Sequence, residues 1–406
     1  MENKQVNLQS QLEYIEYSKN VQHSYSKAIG KLFDMAVSYL KYAEQCCEEG
    51  KNAAYTQAIW ESPLFYGCDC IPVATTELGR LGSKQAIAIA ENHYLVPKEA
   101  CSMVESLIGE WYLQRKRPIK KIVGQNSSCE AQNMAFELVK NEGYQVHRLD
   151  NVYRPPGCMD GDAKYEQLVG FMTRELEDTA RFLLDGEEPD REKIRAELVR
   201  CNLAIDKVRQ IMELRKQKPL YIKSLATMYL LTGLGHYFGR PEEYLALLDE
   251  LLEEMKGETN ENPEGKEVVP IIWVGGRGQE FGIYHAVDDC GGAIIGWASD
   301  NCYTKKYDTE IDPIEAIARF YLNSQRAGSA EHRRTFIDQQ LAEANGKGVI
   351  FYGYVGCSFG GVEFEMLRNY MKSLDVPSIT IEGSFQVGPP SGQLLTRVSA
   401  FIEMLT

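Results

Sequence analysis

"KKIVGQNSSCEAQNMAFELVKNEGYQVHRLD", residues 120–150, is the stretch that decides the fold. Its apolar start predicts a strand over 120–125, residues 129–142 predict a helix that ends near Gly143, and 144–150 predict a second strand. A strand, a crossover helix and another strand are typical of a parallel sheet with helices on its faces. The stretch therefore predicts the α/β class.

The same alternation returns in the last third of the chain. Helices are predicted up to about residue 289, over 312–345, from 358 and over 391–405. They separate four apolar runs that predict strands, at 268–274, 293–299, 348–355 and 378–383. This pattern indicates a second α/β lobe.

Between the lobes, residues 162–257 have apolar residues at helical spacing, and "GETNENPEGKE" (257–267) is a polar linker. Helices are also predicted over 24–50 and over 97–117, where Pro97 favours a first turn. We therefore expect four segments: an N-terminal helical segment (1–55), a first α/β lobe (56–160), a helical segment (161–262) and a second α/β lobe (263–406).

The net charge of −14 over 406 residues disfavours nucleic acid and anionic membranes as partners. The N-terminus lacks the pattern of a signal peptide, and no apolar stretch reaches the roughly 18 residues of a membrane span. We therefore expect a cytoplasmic protein. Its eleven cysteines are then not expected to form a disulfide framework.

Three cysteines lie where parallel sheets build binding sites. Cys129 and Cys357 each follow a predicted strand and begin a predicted helix, and Cys101 lies in the first turns of the helix predicted over 97–117. Ligands bind beyond the carboxyl ends of parallel strands. A helix N-terminus lowers the pKa of a thiol, and thiolates hold iron–sulfur clusters. Position alone leaves two interpretations, a shared cluster or three buried thiols.

Five segments in chain order resemble the 2-hydroxyacyl-CoA dehydratase and benzoyl-CoA reductase family. The resemblance covers about residue 60 to the C-terminus. It is carried by "EACSMVESLIG" (99–109), "KKIVGQNSSCEAQNMAFELV" (120–139), "GGAIIGWASDNCYTKKYD" (291–308), "FYGYVGCSFGGVEFE" (351–365) and "VPSITIEG" (376–383) with "SGQLLTRVSAFIEML" (391–405). The resemblance implies two Rossmann-like lobes facing a cleft that holds a 4Fe–4S cluster, whose shared ligands fall on Cys101, Cys129 and Cys357.

The resemblance also implies an activity and partners. An ATP-hydrolysing iron–sulfur activator protein gives one electron, and water leaves an (R)-2-hydroxyacyl-CoA through a ketyl radical to give a 2-enoyl-CoA. Such chemistry is anaerobic and uses a second related subunit or a second copy of the chain. The base that takes the β-proton is not identified by the sequence.

Several alternatives stay open. Cys302 also matches a family position, and as a fourth ligand it would suggest a non-catalytic electron-relay subunit. The C-terminal part resembles the branch that carries an 8Fe–9S double-cubane cluster and performs ATP-dependent reductions. That cluster needs more thiolates, so a single cubane is favoured. Cys68 and Cys70 are further candidate ligands, although both are expected to be buried thiols.

A dinucleotide site is the remaining alternative. "VGGRGQEFG" (274–282) follows a strand, and Asp300 closes the next one, as in NAD-binding folds. Phe281 stands where the third glycine of the fingerprint is required, which disfavours NAD. His285 is expected to be packed or on the surface, His147 lies within a predicted strand, and neither is expected to be catalytic. Ser127, Ser128 and Ser358 are expected to act as helix caps.

Overall fold

Two four-stranded sheets are the framework of the chain in its computed structural model, which describes residues 16, 19, 26–57, 61–75, 84–126, 129–217, 219, 221–257, 268–276, 282–298, 303–383 and 391–406. The first sheet contains β1 (Asn52–Thr56), β2 (Cys70–Ala74), β3 (Lys121–Asn126) and β4 (Gln145–Asp150). The second contains β5 (Val269–Gly275), β6 (Gly292–Trp297), β7 (Gly348–Tyr354) and β8 (Ser378–Gly383). All pairings within them are parallel. The predicted class, α/β with two Rossmann-like lobes, is confirmed.

Both sheets have the same strand order. The orders are β2-β1-β3-β4 and β6-β5-β7-β8, so the chain changes direction across the sheet between β1 and β3 and again between β5 and β7. Ligands of open parallel sheets bind outside the carboxyl ends of the strands at such a point. β3 and β7 are therefore equivalent strands, and each ends at the position where its lobe can build a site.

Helices cover the first sheet and the region before it. They are α1 (Lys27–Glu48), α2 (Ser62–Gly67), α3 (Lys84–Asn92), α4 (Ser102–Gln114) and α5 (Glu130–Lys140). The sheet begins with β1 at Asn52, ahead of the start predicted for this lobe at residue 56. All five residues of β2 are buried, as expected for a strand covered on both faces.

The helical segment contains α6 (Ala163–Leu183), α7 (Arg191–Gln217), α8 (Ser224–Gly233) and α9 (Pro241–Gly257). Its apolar faces join one continuous core with α1 and the inner faces of both lobes. Cys201 on α7 lies in this core, 2.9 Å from the Tyr237 hydroxyl, and burial raises its pKa to about 11. The predicted linker lies, beyond Gly257, outside the described residues.

The second lobe carries α10 (Gly282–Asp289), α11 (Pro313–Leu322), α12 (Ala330–Glu343), α13 (Ser358–Ser373) and α14 (Gly392–Leu405). These bounds agree with the helices predicted after residue 268. Within the described part of the chain, no helix has the length and apolar character needed to cross a membrane.

One helix prediction was wrong at its start. The helix predicted over 97–117 begins at Ser102, with Cys101 as its N-cap. The Ala100 N–H donates to the Pro97 carbonyl at 2.9 Å, so Pro97 opens a turn. Proline fits a turn and a first helical position equally well, because both require the same φ.

Candidate metal centre

Three cysteines are the N-cap residues of three different helices. Cys101 caps α4, Cys129 caps α5 and Cys357 caps α13. The backbone of Cys129 (φ −87°, ψ 92°) is almost identical to that of Cys357 (φ −83°, ψ 91°). The two cysteines follow β3 and β7, so the two lobes present their thiols from equivalent positions.

A tight turn places Cys357. β7 ends at Tyr354, and Gly356 then adopts φ +80°, which only glycine adopts without strain. A Cβ atom at this position would lie 2.3 Å from the Ala100 carbonyl oxygen. Glycine is therefore required both by the turn and by the close approach of the first lobe.

The same turn joins the two lobes. The Ser102 N–H donates to the Val355 carbonyl at 3.1 Å, so the first turn of α4 is bonded to the end of β7. The core of the first lobe extends onto Tyr354 and Cys357 of the second. The thiols of Cys101 and Cys357 are hydrogen-bonded to each other. Residues that lie 256 positions apart in the sequence (357 − 101) are thus in direct contact.

Backbone N–H groups point at the sulfurs. Gly360 donates to the Cys357 Sγ at 3.4 Å. The hydrogen bond to Cys357 and burial raise the pKa of Cys101 well above its usual range. Burial likewise raises the pKa of Cys129, although the N–H groups of Gln132 and Ala131 act to lower it. The expected lowering by the helix N-terminus is therefore present but is outweighed in both thiols.

The three cysteines line one cavity of about 930 Å³. Residues of both lobes form its walls. Besides the cysteines, these include Glu130, the loop after β4 (153–156), the start of α12 (328–330 and Arg333) and α13 residues Ser358, Val362, Glu363 and Met366. The cavity is large enough for part of an acyl-CoA, since sites for small molecules usually span about 300–1,000 Å³.

Both arginines of the described cavity lining are in ion pairs. Arg333 forms an ion pair with Glu363, and Arg154 forms one with Asp160 at 2.8 Å. Arg154 also donates to the Asn323 side chain at 2.8 Å and to the Cys158 carbonyl at 2.6 Å. These bonds fix both guanidinium groups against the wall.

The donor set suits a cluster better than a single ion. In the described part of the chain, no three His, Cys, Asp or Glu side chains are grouped closely enough to hold one metal ion. A single ion needs each thiolate at about 2.3 Å, whereas a cubane offers each thiolate a different iron. Three thiols at separate helix N-termini on one cavity wall, with N–H donors to their sulfurs, fit the second arrangement.

The other cysteines and the serines singled out in the sequence do not line the cavity or lie outside the described residues, except Ser358. Cys302, Ser127 and Ser128 lie outside the described residues, so the hypothesis that Cys302 is a fourth ligand stays a prediction. Cys68 and Cys70 are buried in the core, and burial raises the pKa of Cys68 to about 12. Both have the buried role expected of them.

The glycine-rich loop of the NAD alternative lies largely outside the described residues, as does Asp300. His285 is buried on α10, and burial lowers its pKa to about 3. His147 is bonded to the Thr179 hydroxyl at 3.0 Å. Both histidines are packed against neighbouring elements.

Three charged residues of the cavity were not predicted from the sequence: Arg154, Arg333 and Glu363. Arg154 follows β4, so the rule that sites form at strand ends would have pointed to it. Arg333 and Glu363 lie inside α12 and α13, and neither has a signal in the sequence. Only the packing of the two helices brings them together.

One family of known proteins matches most of the chain. The family model described as 2-hydroxyglutaryl-CoA dehydratase, D-component, matches residues 61–405. The search of curated proteins found no match. The matched region contains both sheets except β1, and all three cavity cysteines. Because the match spans most of the sequence, the chain belongs to the family of the 2-hydroxyglutaryl-CoA dehydratase D-component.

Proposed function

We propose that this chain is the iron–sulfur subunit of an ATP-activated 2-hydroxyacyl-CoA dehydratase. It would remove water from an (R)-2-hydroxyacyl-CoA to give a 2-enoyl-CoA by a radical mechanism. The observation that supports this most is the meeting of Cys101, Cys129 and Cys357 on one cavity between two lobes, in a chain of this family.

The cofactor proposed is a 4Fe–4S cluster held by these three thiolates. When bound, it supplies a low-potential electron and a Lewis-acidic iron. The described lining contains three thiols and thus favours a single cubane over a double-cubane cluster. Three protein ligands would leave one iron for substrate, unless Cys302 is the fourth.

The chain's own residues prepare the site for such a cluster. Each thiol must lose its proton to become a ligand, and the N–H groups of Ala131, Gln132 and Gly360 stabilise the negative sulfurs. The contact between α4 and the end of β7 holds ligands of both lobes in one place.

The partners proposed are an ATP-dependent iron–sulfur activator protein and a second related subunit or a second copy of this chain. The word "component" in the family description supports an assembly of more than one kind of chain. The acyl-CoA would enter the cavity, whose apolar wall excludes water from the reacting atoms.

An anaerobic assay tests the function. The purified chain is mixed with a 2-hydroxyacyl-CoA, ATP, a reductant and an activator protein, with and without a second subunit. Mass spectrometry should detect the 2-enoyl-CoA. Cys129→Ala should reduce the rate of its formation by at least about 100-fold, because loss of a residue that only supports a metal ligand already costs up to about that factor in activity.

Cys290→Ser is the matched control, because Cys290 is also half-buried but does not line the cavity. It should retain the activity. A reduced acyl-CoA in place of the 2-enoyl-CoA would contradict the dehydratase proposal and support the reductase alternative. Full activity of Cys129→Ala would contradict the role of the cavity.

A further inference from the structure

We infer that the cavity takes a 2-hydroxyacyl group with an uncharged, apolar end, and that Glu363 excludes acyl groups ending in a carboxylate by neutralising Arg333. This inference rests on the proposed function, since it concerns the substrate of the same site. It excludes, as the preferred substrate of this chain, the dicarboxylic 2-hydroxyglutaryl group that the family description names.

Arg333 is the cation best placed to bind such a carboxylate, and it is already occupied. Its guanidinium is paired with Glu363 and also donates through Nε to the Gln325 carbonyl at 3.2 Å. The two side chains of the pair are only 18% and 14% exposed. A partly buried ion pair is costly to break, because each partner is left without a counter-charge in a poorly solvated place.

Arg154 offers no free charge either. It is paired with Asp160, and its remaining bonds go to the Asn323 side chain and the Cys158 carbonyl. Its side chain is 12% exposed. A substrate carboxylate would have to displace a partner from this arginine as well.

The formal charges of the described lining cancel. Arg154 and Arg333 stand against Glu130 and Glu363. Behind Arg154, Asp160 and Lys305 add one charge of each sign, so the balance is unchanged. A carboxylate that enters the cavity would lose water and meet no uncompensated cation in the described lining. Transfer of an unpaired charge out of water is strongly unfavourable.

Apolar side chains, in contrast, are left open to the same cavity. Tyr153, Val362 and Met366 are 41%, 67% and 47% exposed. Val362 and Met366 lie one turn apart on α13, on either side of Glu363 in the sequence. An apolar acyl chain would cover them and gain the free energy of their burial.

The test is a binding measurement that needs no turnover. The probes are glutaryl-CoA and 5-methylhexanoyl-CoA, which lack the 2-hydroxyl group. They differ in that two methyl groups replace the carboxylate oxygens. Isothermal titration of the full chain, purified anaerobically, should show at least about 10-fold tighter binding of 5-methylhexanoyl-CoA, the scale of discrimination usual for such pockets.

Glu363→Gln keeps the shape of the side chain and releases the charge of Arg333. It should raise the affinity for glutaryl-CoA relative to 5-methylhexanoyl-CoA by about 10-fold. Glu365→Gln is the matched control on the same helix, because Glu365 is 62% exposed and pairs with Arg368. This control should leave both affinities unchanged.

The outcomes separate the two proposals. Equal or tighter binding of glutaryl-CoA by the wild-type chain would overturn the inference and leave the dehydratase proposal standing. This result needs no variant and so does not depend on how Glu363→Gln folds. An unchanged ratio in a folded Glu363→Gln would overturn the role of Glu363. No binding of either acyl-CoA would overturn both proposals.

Discussion

Each cavity thiol experiences two opposing influences at the scale of a single residue. Burial disfavours the thiolate, and the N–H groups of a helix's first turn favour it. In Cys101 and Cys129 burial and the neighbouring thiol prevail, and the pKa of both is raised. Neutral thiols are stable in such a place without a metal, and metal binding has to release their protons.

His285 leads to a prediction about pH and stability. Burial lowers its pKa to about 3, against about 6.5 in an unfolded chain. Below pH 6.5 the unfolded state binds a proton that the folded state cannot, so His285 stabilises the fold above pH 6.5 and less as the pH falls. From pH 7 to pH 5 this loss is about 2 kcal/mol.

The measurement is the apparent Tm of wild type and His285→Gln at both pH values. Asp288 and Glu105 act in the opposite direction, because burial raises the pKa of Asp288 to about 6 and that of Glu105 to about 7. Because both carboxyl groups are present in wild type and variant, the difference between their changes in Tm reports on His285. Between pH 7 and pH 5, the Tm of wild type should fall by roughly 2 °C more than that of the variant. His93→Gln, at an exposed histidine, should behave as wild type, and an equal loss in His285→Gln would refute the prediction.

At the scale of elements, the contact between the start of α4 and the end of β7 positions the site. The bond from Ser102 to Val355 and the close approach of Gly356 to Ala100 bring the N-cap of α4 beside the N-cap of α13. Neither contact lies within a sheet. The relative position of Cys101 and Cys357 therefore depends on a few loop residues.

Gly356→Ala should disturb this contact. The new Cβ would lie 2.3 Å from the Ala100 carbonyl oxygen, at a φ of +80° that alanine adopts only with strain. We expect a loss of about 1–3 kcal/mol in the free energy of unfolding, measured by urea denaturation.

Gly361→Ala is the control for that variant. Gly361 lies in α13, five residues further on, and a Cβ there would meet no atom within 4 Å. Alanine in a helix is favoured over glycine by about 0.5–1 kcal/mol, so this variant should be as stable as wild type or more stable. If both variants were equally stable, Gly356 would not be the residue that holds the lobes in contact.

The elements that could be predicted are those with a strong local signal. β3, β5, β7 and their following helices combine an apolar run with a turn and an amphipathic stretch. β1 was missed because "NAAYT" is short and rich in alanine, which has a low preference for strands. Its strand conformation is stabilised by pairing with β2 and β3 on either side.

At the scale of the whole molecule, two lobes with one topology face each other. In each lobe, a cysteine follows the third strand in chain order and is the N-cap of the next helix. Two equivalent sheet edges therefore contribute one thiol each. Cys101 then adds a third thiol from the helix before β3. A site of this kind needs both lobes, because neither lobe contains all three thiols.

The positions of these thiols and of Arg154 could be predicted from strand ends, but the pairing of Arg333 with Glu363 could not. Strand order and helix starts indicate where Cys129 and Cys357 lie, because the carboxyl ends of parallel strands share one edge. The pairing of Arg333 with Glu363 depends on how α12 packs on α13, and it connects residues 30 positions apart on different helices. No local pattern encodes such a contact.

The most direct test of the central claim is the iron and sulfide content of the anaerobically purified chain, combined with EPR after dithionite reduction. Wild type and Cys290→Ser should each contain one 4Fe–4S cluster. Most of the iron and of the EPR signal should be lost in Cys101→Ala, Cys129→Ala and Cys357→Ala. Unchanged iron and an unchanged EPR signal in Cys129→Ala would contradict the claim that these three cysteines hold one cluster.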